Sequence, residues 1–162
     1  AANELSDYPQ VHFILQGSGP EKAPLEILKK NLQLTNVHFL EPVAKADMPA
    51  ILQAIDVALV PLKNLPLFQG AIPSKVFEAL AMEVPLLLGV DGEARLHFIE
   101  KAEAGWFFEP ENAHALAAAI KTLIAQPDAI ARAGKNGRNY VSQHFNRDQI
   151  AASLYTHLTT LS

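Results

Sequence analysis

The sequence predicts an α/β protein built on a doubly wound parallel sheet, and three observations carry that prediction. Five short β-type runs recur along the chain, helical patterns lie between them, and several strands are apolar at nearly every position. A continuously apolar strand is typical of a sheet that helices cover on both faces. Alternation of such strands with helices indicates parallel strands joined by right-handed crossovers.

The strands and helices of the first two thirds of the chain alternate in order. The predicted strands are VHFILQ (11–16), VHFL (37–40), DVALVP (56–61), PLLLG (85–89) and GWFFE (105–109). The predicted helices among them are EKAPLEILKKNL (21–32), MPAILQAI (48–55) and a short one that carries VFEALAM (76–82). In the first two helices apolar residues recur at i, i+3 and i+4, which predicts burial of one side.

After residue 109 the pattern is entirely helical. AHALAAAIKTLIAQ (113–126) is an amphipathic helix with Asn112 as its predicted cap, and Pro127 stops it. A second helix starts near Pro127, and a third, capped by Asn146, covers 146–161. Because no linker, repeat or low-complexity segment interrupts the chain, we expect residues 1–162 to form a single domain.

Composition excludes several classes of function. Thirteen Lys and Arg against 17 Asp and Glu give a net charge of −4 without any basic run, which argues against nucleic-acid binding. The absence of Cys excludes disulfides and thiolate metal sites and fits a reducing compartment. The chain shows neither an apolar stretch of about 20 residues nor a signal-peptide pattern. We therefore expect a soluble, cytoplasmic domain.

Ligands of open parallel sheets bind outside the carboxyl ends of the strands, so the loops at that edge are the candidate site. The loop after the first strand contains Gly17 and Gly19. These glycines either form a tight turn with positive φ or let the backbone approach a phosphate. Position 22 is Lys, so the G-x-G-x-x-G pattern is incomplete, and no Asp or Glu follows a second strand in the way that grips a dinucleotide ribose. Hydride-transfer cofactors are therefore disfavoured.

The segment PSK before VFEALA is a stronger candidate. Ser74, Lys75 and Glu78 are spaced to share one face of a helix, whose free N–H groups and dipole attract an anion. Glu78 lies within a run that is apolar almost all round, where a carboxylate is costly unless something binds it. A hydroxyl, an ammonium and a carboxylate together suit a diphosphate beside a sugar ring. The alternative is an ordinary surface pair between Lys75 and Glu78. The position of the helix between two buried strands favours the binding site.

The remaining polar candidates favour structural roles. The six His residues show no metal-ligand spacing, and we expect His12 and His38 to be hydrogen-bonded core or edge residues. Arg132, Lys135 and Arg138 recur every three residues and indicate a solvated helix face, with contact to an anionic membrane surface as the alternative. No G-x-S-x-G elbow supports nucleophilic hydrolysis.

Taken in order, four segments closely resemble the carboxy-terminal half of the family 4 (group 1) glycosyltransferases, in the branch that builds bacterial surface polysaccharides. They are residues 11–43, 54–62, 72–94 and 104–123, and the resemblance extends over nearly all of 9–145. It implies the two-domain architecture called GT-B, in which the carboxy-terminal domain binds a nucleotide-sugar donor and the amino-terminal domain the acceptor. It also implies transfer with retention of configuration, without a cofactor or an essential metal.

The resemblance assigns roles to individual positions and leaves the catalytic residue unknown. Glu78 matches the second acid of the E-x7-E motif, which binds the ribose hydroxyls. Ser74 and Lys75 fall where the family contacts the diphosphate. The segment whose backbone reads the base matches Phe39, Leu40 and Val43, and the glycine turn beside the site matches Gly17 and Gly19.

Three features depart from the family pattern. Gly70 stands where the first acid of E-x7-E contacts the transferred sugar, and Glu83 stands where the helix usually ends in glycine. The chain also begins inside the first helix of the domain, so we expect a fragment without the opening strand, its basic pair and the acceptor domain. Such a fragment is expected to be inactive alone. The resemblance implies that its parent is a retaining transferase, with contact to the inner face of the membrane left open. The rival hypothesis is a non-catalytic nucleotide-binding or interaction module.

The missing strand leaves three arrangements open. In the sheet order 3-2-1-4-5-6 the absent strand is central, so segments 11–16 and 56–61 flank its place. Either the two segments close on each other, or a partner chain fills the gap, or the strand exists outside these residues. We favour closure, because paired strands are only about 4.8 Å apart.

Overall fold

Two separate parallel sheets carry the five strands in the computed structural model, which describes residues 1–160. The strands are β1 (Phe13–Gln16), β2 (Val37–Leu40), β3 (Ala58–Pro61), β4 (Leu86–Gly89) and β5 (Gly105–Phe107). β1 pairs with β2, and the second sheet has the order β3-β4-β5. Every predicted strand is present and every pair is parallel, so the α/β class is confirmed.

Seven helices are described between and after the strands within residues 1–160. They are α1 (Lys22–Asn31), α2 (Met48–Gln53), α3 (Ser74–Ala81), α4 (Glu93–Arg95), α5 (Ala113–Ile124), α6 (Pro127–His144) and α7 (Arg147–Thr160). A π-helix, Leu96–Lys101, directly continues α4. Short 3-10 turns cover Asn3–Leu5, Lys45–Asp47 and Pro66–Phe68.

The predicted helix caps are confirmed. The side chain of Asn112 accepts from the N–H of Ala115 at 2.9 Å, and Asn146 accepts from Asp148 at 3.0 Å. The predicted end of the last helix, at residue 161, lies outside the described residues. The segment from α4 through the π-helix was not predicted, because an i→i+5 repeat does not produce the 3.6-residue periodicity that marks an α-helix.

The favoured closure of β1 onto β3 is wrong. No ladder joins the two strands in the described part of the chain; β1 pairs with β2 alone, and β3 with β4 alone. Closure needs a lateral shift of one sheet relative to the other, and the crossover between them is packed on the second sheet. Leu52 and Ile55, in and just after α2, pack against the main core and hold that crossover in place.

The core lies around the second sheet. β4 is buried along its whole length, as expected for a central strand with both faces covered. The larger hydrophobic cluster, the main core, includes Phe98, Leu80 and Leu88. A smaller cluster contains Leu87 and Phe108. Among the residues described, none between 2 and 51 belongs to either cluster.

The predicted one-sided burial of the first helix is therefore wrong. α1 contains no buried residue, although its apolar side chains are spaced as the pattern required. α2 also lacks fully buried residues but rests partly on the main core through Leu52. An amphipathic helix buries a face only where a complementary surface exists, and β1 and β2 offer α1 little of one.

Candidate functional site

The candidate site lies on loops that follow the carboxyl ends of the parallel strands. Gly17 follows β1, and its N–H donates to the carbonyl of Leu40, the last residue of β2, at 3.2 Å. Gly17 has φ of +132°, so the tight-turn interpretation is correct for this residue. Gly19 has no positive φ and open space beside its Cα. The turn therefore depends on one glycine and leaves room for a ligand beside the other.

The three predicted polar residues of α3 share one exposed face. Ser74, Lys75 and Glu78 are exposed, whereas Val76 and Leu80 on the opposite face are fully buried. Glu78 is thus not enclosed by apolar surface, which corrects the premise that its charge needs a partner to offset burial. The apolar residues around it in sequence point inward because they fall on the other side of the helix.

The first turn of α3 is open to a ligand. Pro73 precedes the helix in an extended conformation with ψ of 133°, and no side chain caps the helix. The unpaired N–H groups of a first helical turn attract anions. Within the described residues no ion pair joins Lys75 to Glu78, so the surface-pair alternative has no support in the structure. The ammonium and the carboxylate both stay available.

The long loop between β3 and α3 is held by the loops that follow β4 and β5. The N–H of Asn64 donates to the carboxylate of Glu111 at 2.9 Å, and the N–H of Glu93 donates to the carbonyl of Gln69 at 2.8 Å. Gly92, with φ of +85°, lets the backbone approach that same carbonyl, where a Cβ would lie 2.1 Å away. These contacts position the start of α3. The sequence predicted that these loops share one edge of the sheet, but it did not predict the individual contacts.

Gly70 lies within this anchored loop. Its φ is not positive and no atom lies within 4 Å of a Cβ built there. The backbone thus has no need of glycine at this position, and a longer side chain would fit. The fold therefore does not require glycine at position 70; the residue simply lacks a side chain there.

The residues predicted to read a base lie at the end of the first sheet. Leu40 and Val43 are 43% and 40% exposed, and the half-buried Phe39 lines an open surface groove with Lys29 and Lys30 of α1. No hydrogen bond or ion pair described for residues 1–160 connects this group with the polar face of α3. The structure thus places the predicted residues in two separate groups. One contains Gly17 and Leu40, and the other contains the three polar residues of α3.

One pair at this edge escaped prediction from the sequence. The ammonium of Lys22, at the start of α1, lies 2.6 Å from the carboxylate of Glu41, which follows β2. The pair links the two loops that leave the first sheet at its carboxyl edge. Parallel pairing of the two strands is the signal that could have found it.

The described residues contain neither a metal-binding cluster nor a membrane-spanning helix. The described residues hold no cluster of three or more His, Cys, Asp or Glu side chains suited to a metal ion. None of the helices between residues 1 and 160 combines the length and hydropathy needed to cross a bilayer.

Comparison with known proteins gives both a family and a fold. The model of the family described as glycosyl transferases group 1 matches residues 1–140. No curated protein sequence matches the chain. Sucrose-phosphate synthase from Thermosynechococcus elongatus superimposes with a TM-score of 0.81 at 27% identity, covering 99% of this chain and 42% of the synthase. HepE from Anabaena, solved with UDP-glucose, gives a TM-score of 0.76 at 25% identity over 96% of this chain and 44% of HepE.

A solved carboxy-terminal domain extends the comparison. The domain of the group 1 glycosyl transferase LpcC from Francisella tularensis matches with a TM-score of 0.67 at 19% identity, over 91% of this chain and 76% of that one. This chain spans less than half the length of the synthase and of HepE. Its parallel sheets with flanking helices match the Rossmann-like carboxy-terminal half of a GT-B fold. The chain belongs to the glycosyl transferases group 1 family.

Proposed function

We propose that residues 1–162 form the nucleotide-sugar-binding domain of a retaining glycosyltransferase. One observation carries the proposal: Ser74, Lys75 and Glu78 share an exposed face at the uncapped start of α3, on a loop that neighbouring loops hold in place. That HepE was solved with UDP and with UDP-glucose supports a nucleotide-sugar as the ligand class.

Each group has a distinct role in the proposed complex. The carboxylate of Glu78 accepts hydrogen bonds from two neighbouring ribose hydroxyls. The ammonium of Lys75 and the N–H groups of the first turn bind the diphosphate. When the bond between sugar and phosphate breaks, negative charge grows on the leaving diphosphate, and these same donors stabilise it without a metal.

In this proposal, acceptor binding depends on a part of the protein outside these residues. An amino-terminal domain would bind the acceptor, and the cytoplasmic enzyme would act in surface-polysaccharide synthesis, with peripheral contact at the inner face of the membrane. The second candidate is a nucleotide-binding or interaction module without catalysis. Gly70 favours that candidate, because it removes the acid that contacts the transferred sugar in the family.

Nucleotide binding by wild type and by Glu78→Gln tests the proposal. UDP, GDP and ADP, each alone and as a sugar conjugate, are titrated by calorimetry. We expect Glu78→Gln to weaken binding of the preferred nucleotide by about 1–3 kcal/mol, the cost of lost charged hydrogen bonds, with an unchanged melting temperature. Asp7→Asn removes one exposed carboxylate elsewhere and should leave binding intact. Equal affinity in wild type and Glu78→Gln would contradict the ribose role.

Lys75→Ala tests the contact with the phosphates separately from the contacts with the base and the ribose. An ammonium acts on an anion and not on a neutral base or sugar, so this substitution should weaken nucleoside diphosphates more than the nucleoside. Lys135→Ala on α6 is the matched control, since it removes an exposed Lys outside the site. Equal losses for both ligands would place Lys75 away from the diphosphate. Turnover of a nucleotide-sugar by the full-length protein distinguishes transferase from binding module.

A further inference from the structure

Two imidazoles of the first sheet lie within hydrogen-bond distance of each other, and the proposed nucleotide site uses neither of them. Nδ1 of His12, just before β1, lies 3.0 Å from Nε2 of His38 in β2, and the ring centroids are 5.1 Å apart. β1 and β2 are held in parallel register with Ile14 opposite His38, which fixes the backbone beneath the pair. His12 is exposed and His38 half-buried, so solvent and ions reach both rings.

The distance between the two nitrogens suits a shared metal ion. With metal–nitrogen bonds of about 2.0–2.1 Å, two imidazole nitrogens lie about 2.9 Å apart at a right angle and about 3.3 Å apart in a tetrahedron. The observed 3.0 Å lies nearer the right angle, which Cu²⁺ and Ni²⁺ adopt in tetragonal sites, and a small ring movement reaches the tetrahedral geometry of Zn²⁺. We propose that His12 and His38 form a two-imidazole site for a divalent ion of this group.

Binding requires a change of tautomer and a small rotation of the rings, so that both lone pairs point at one ion rather than at each other. Without metal, one of the facing nitrogens carries the hydrogen that the other accepts. Metal binding needs both lone pairs, so that hydrogen moves through solvent to the far nitrogen of its own ring. Water completes the coordination shell, because no third side chain joins the pair to form a metal cluster within residues 1–160.

The site would act on a part of the molecule that lies outside both hydrophobic clusters. An ion held by both rings joins β1 to β2, whose residues belong to neither hydrophobic cluster. The unfolded chain does not hold the two rings together, so the ion binds the folded form preferentially and stabilises it. The proposal concerns different residues and a different ligand from nucleotide binding, and it stands or fails independently.

Copper titration of the untagged, metal-free chain tests the proposal. Electron paramagnetic resonance with CuSO₄ should show one Cu²⁺ per chain with coupling to two imidazole nitrogens. Loss of a residue that merely supports a metal ligand costs about 10–100-fold in affinity, so His12→Ala and His38→Ala should each weaken binding at least that much. His157→Ala on α7 is the control, because its exposed ring lies on another element and bonds the carbonyl of Ser153 in its own helix.

Zinc provides a second readout that does not depend on copper. ZnSO₄ should raise the melting temperature of wild type and of His157→Ala, and should leave that of His12→Ala and His38→Ala unchanged. Circular dichroism establishes that each variant is folded. Copper binding that survives both substitutions would assign the ion to the amino terminus or another imidazole and overturn the proposal, as would a one-nitrogen signal in wild type.

Discussion

The helices α1 and α3 occupy equivalent places, since each follows the carboxyl end of a parallel strand, but they are packed very differently. α3 buries Val76, Ala79 and Leu80 almost completely, against the main core and beside α6. α1 is two residues longer, yet its Ile27 and Leu28 are 61% and 50% exposed. The amphipathic pattern is present in both helices, so the difference lies in what each helix has to pack against.

The difference divides the molecule into a packed part and an open part. The second sheet has β4 at its centre, with core clusters that include α3 on one side and α5 on the other. The first sheet has two strands, and Ile14 and Leu15 of β1 are 43% and 38% exposed. An isolated pair of strands is marginally stable at best, and α1 buries none of its residues against this pair. The residues predicted to bind the diphosphate and the ribose lie on the packed part. The residues predicted to read the base lie on the open part.

Truncation of one large apolar side chain in each part should show the largest contrast. Phe98 is fully buried and contacts the rings of Phe77, Tyr140 and Phe145. Phe98→Ala should cost about 3–5 kcal/mol in the free energy of unfolding, through lost burial and a cavity. Leu28→Ala should cost less than about 0.5 kcal/mol, because the side chain is half exposed already.

Urea denaturation at one temperature measures both values. A large loss for Leu28→Ala would mean that α1 is covered in solution and would remove the contrast between the two parts. If Phe98→Ala leaves too little folded protein for measurement, Phe98→Leu offers a milder form of the same test.

The residues that follow the two helices provide a smaller, matched comparison. Glu83, just after α3, has φ of +60°, and Gln33, just after α1, has φ of +53°. Glycine relieves the left-handed strain at such positions, so Glu83→Gly should raise the stability of the protein by about 0.5–1 kcal/mol. Gln33→Gly should raise global stability less, because the open part can unfold locally before the core does.

The ion pair of Glu83 needs its own control. Arg138 Nη1 lies 3.0 Å from the carboxylate, and both side chains are well exposed, so the pair contributes little. Arg138→Gln removes the pair without changing the backbone and should be nearly neutral in thermal denaturation. Destabilisation by Glu83→Gly would show that the packing of α6 at this position outweighs the strain.

The smallest predicted effect concerns the contact that ties the amino terminus to α5. His114 donates a hydrogen bond from Nδ1 to the carboxylate of Glu4 at 3.0 Å, and this bond is the main reason that the pKa of Glu4 lies below its ordinary value of 4.5. A lowered folded-state pKa adds stability that is fully present above the unfolded value and disappears as the pH falls through the folded value. We expect the advantage of wild type over Glu4→Gln to vanish at acidic pH below 4.5.

Melting curves of both proteins from pH 7 down to pH 3 measure that difference. The pair is exposed, so salt should reduce the advantage of wild type at neutral pH as well. A difference that persists unchanged to the lowest pH would show that Glu4 acts through packing rather than charge.

Local features of the fold were determined by the sequence alone. The positions of all five strands follow from short apolar runs, and the caps Asn112 and Asn146 follow from side chains that bond N–H groups two or three residues away. The shared face of Ser74, Lys75 and Glu78 likewise follows from helix geometry over five residues. Each of these features depends only on neighbours along the chain, which is why residue pattern was sufficient.

Features that join distant segments were decided by the tertiary structure. Whether β1 closes on β3, whether α1 finds a surface to pack against, and which carboxylate holds Asn64 all depend on residues separated by tens of positions. The exposure of Glu78 is of the same kind, because a run that is apolar in sequence is divided by the helix into a buried and an exposed face. Local propensity does not specify such contacts, since they depend on which surfaces remain uncovered once the core around β4 has formed.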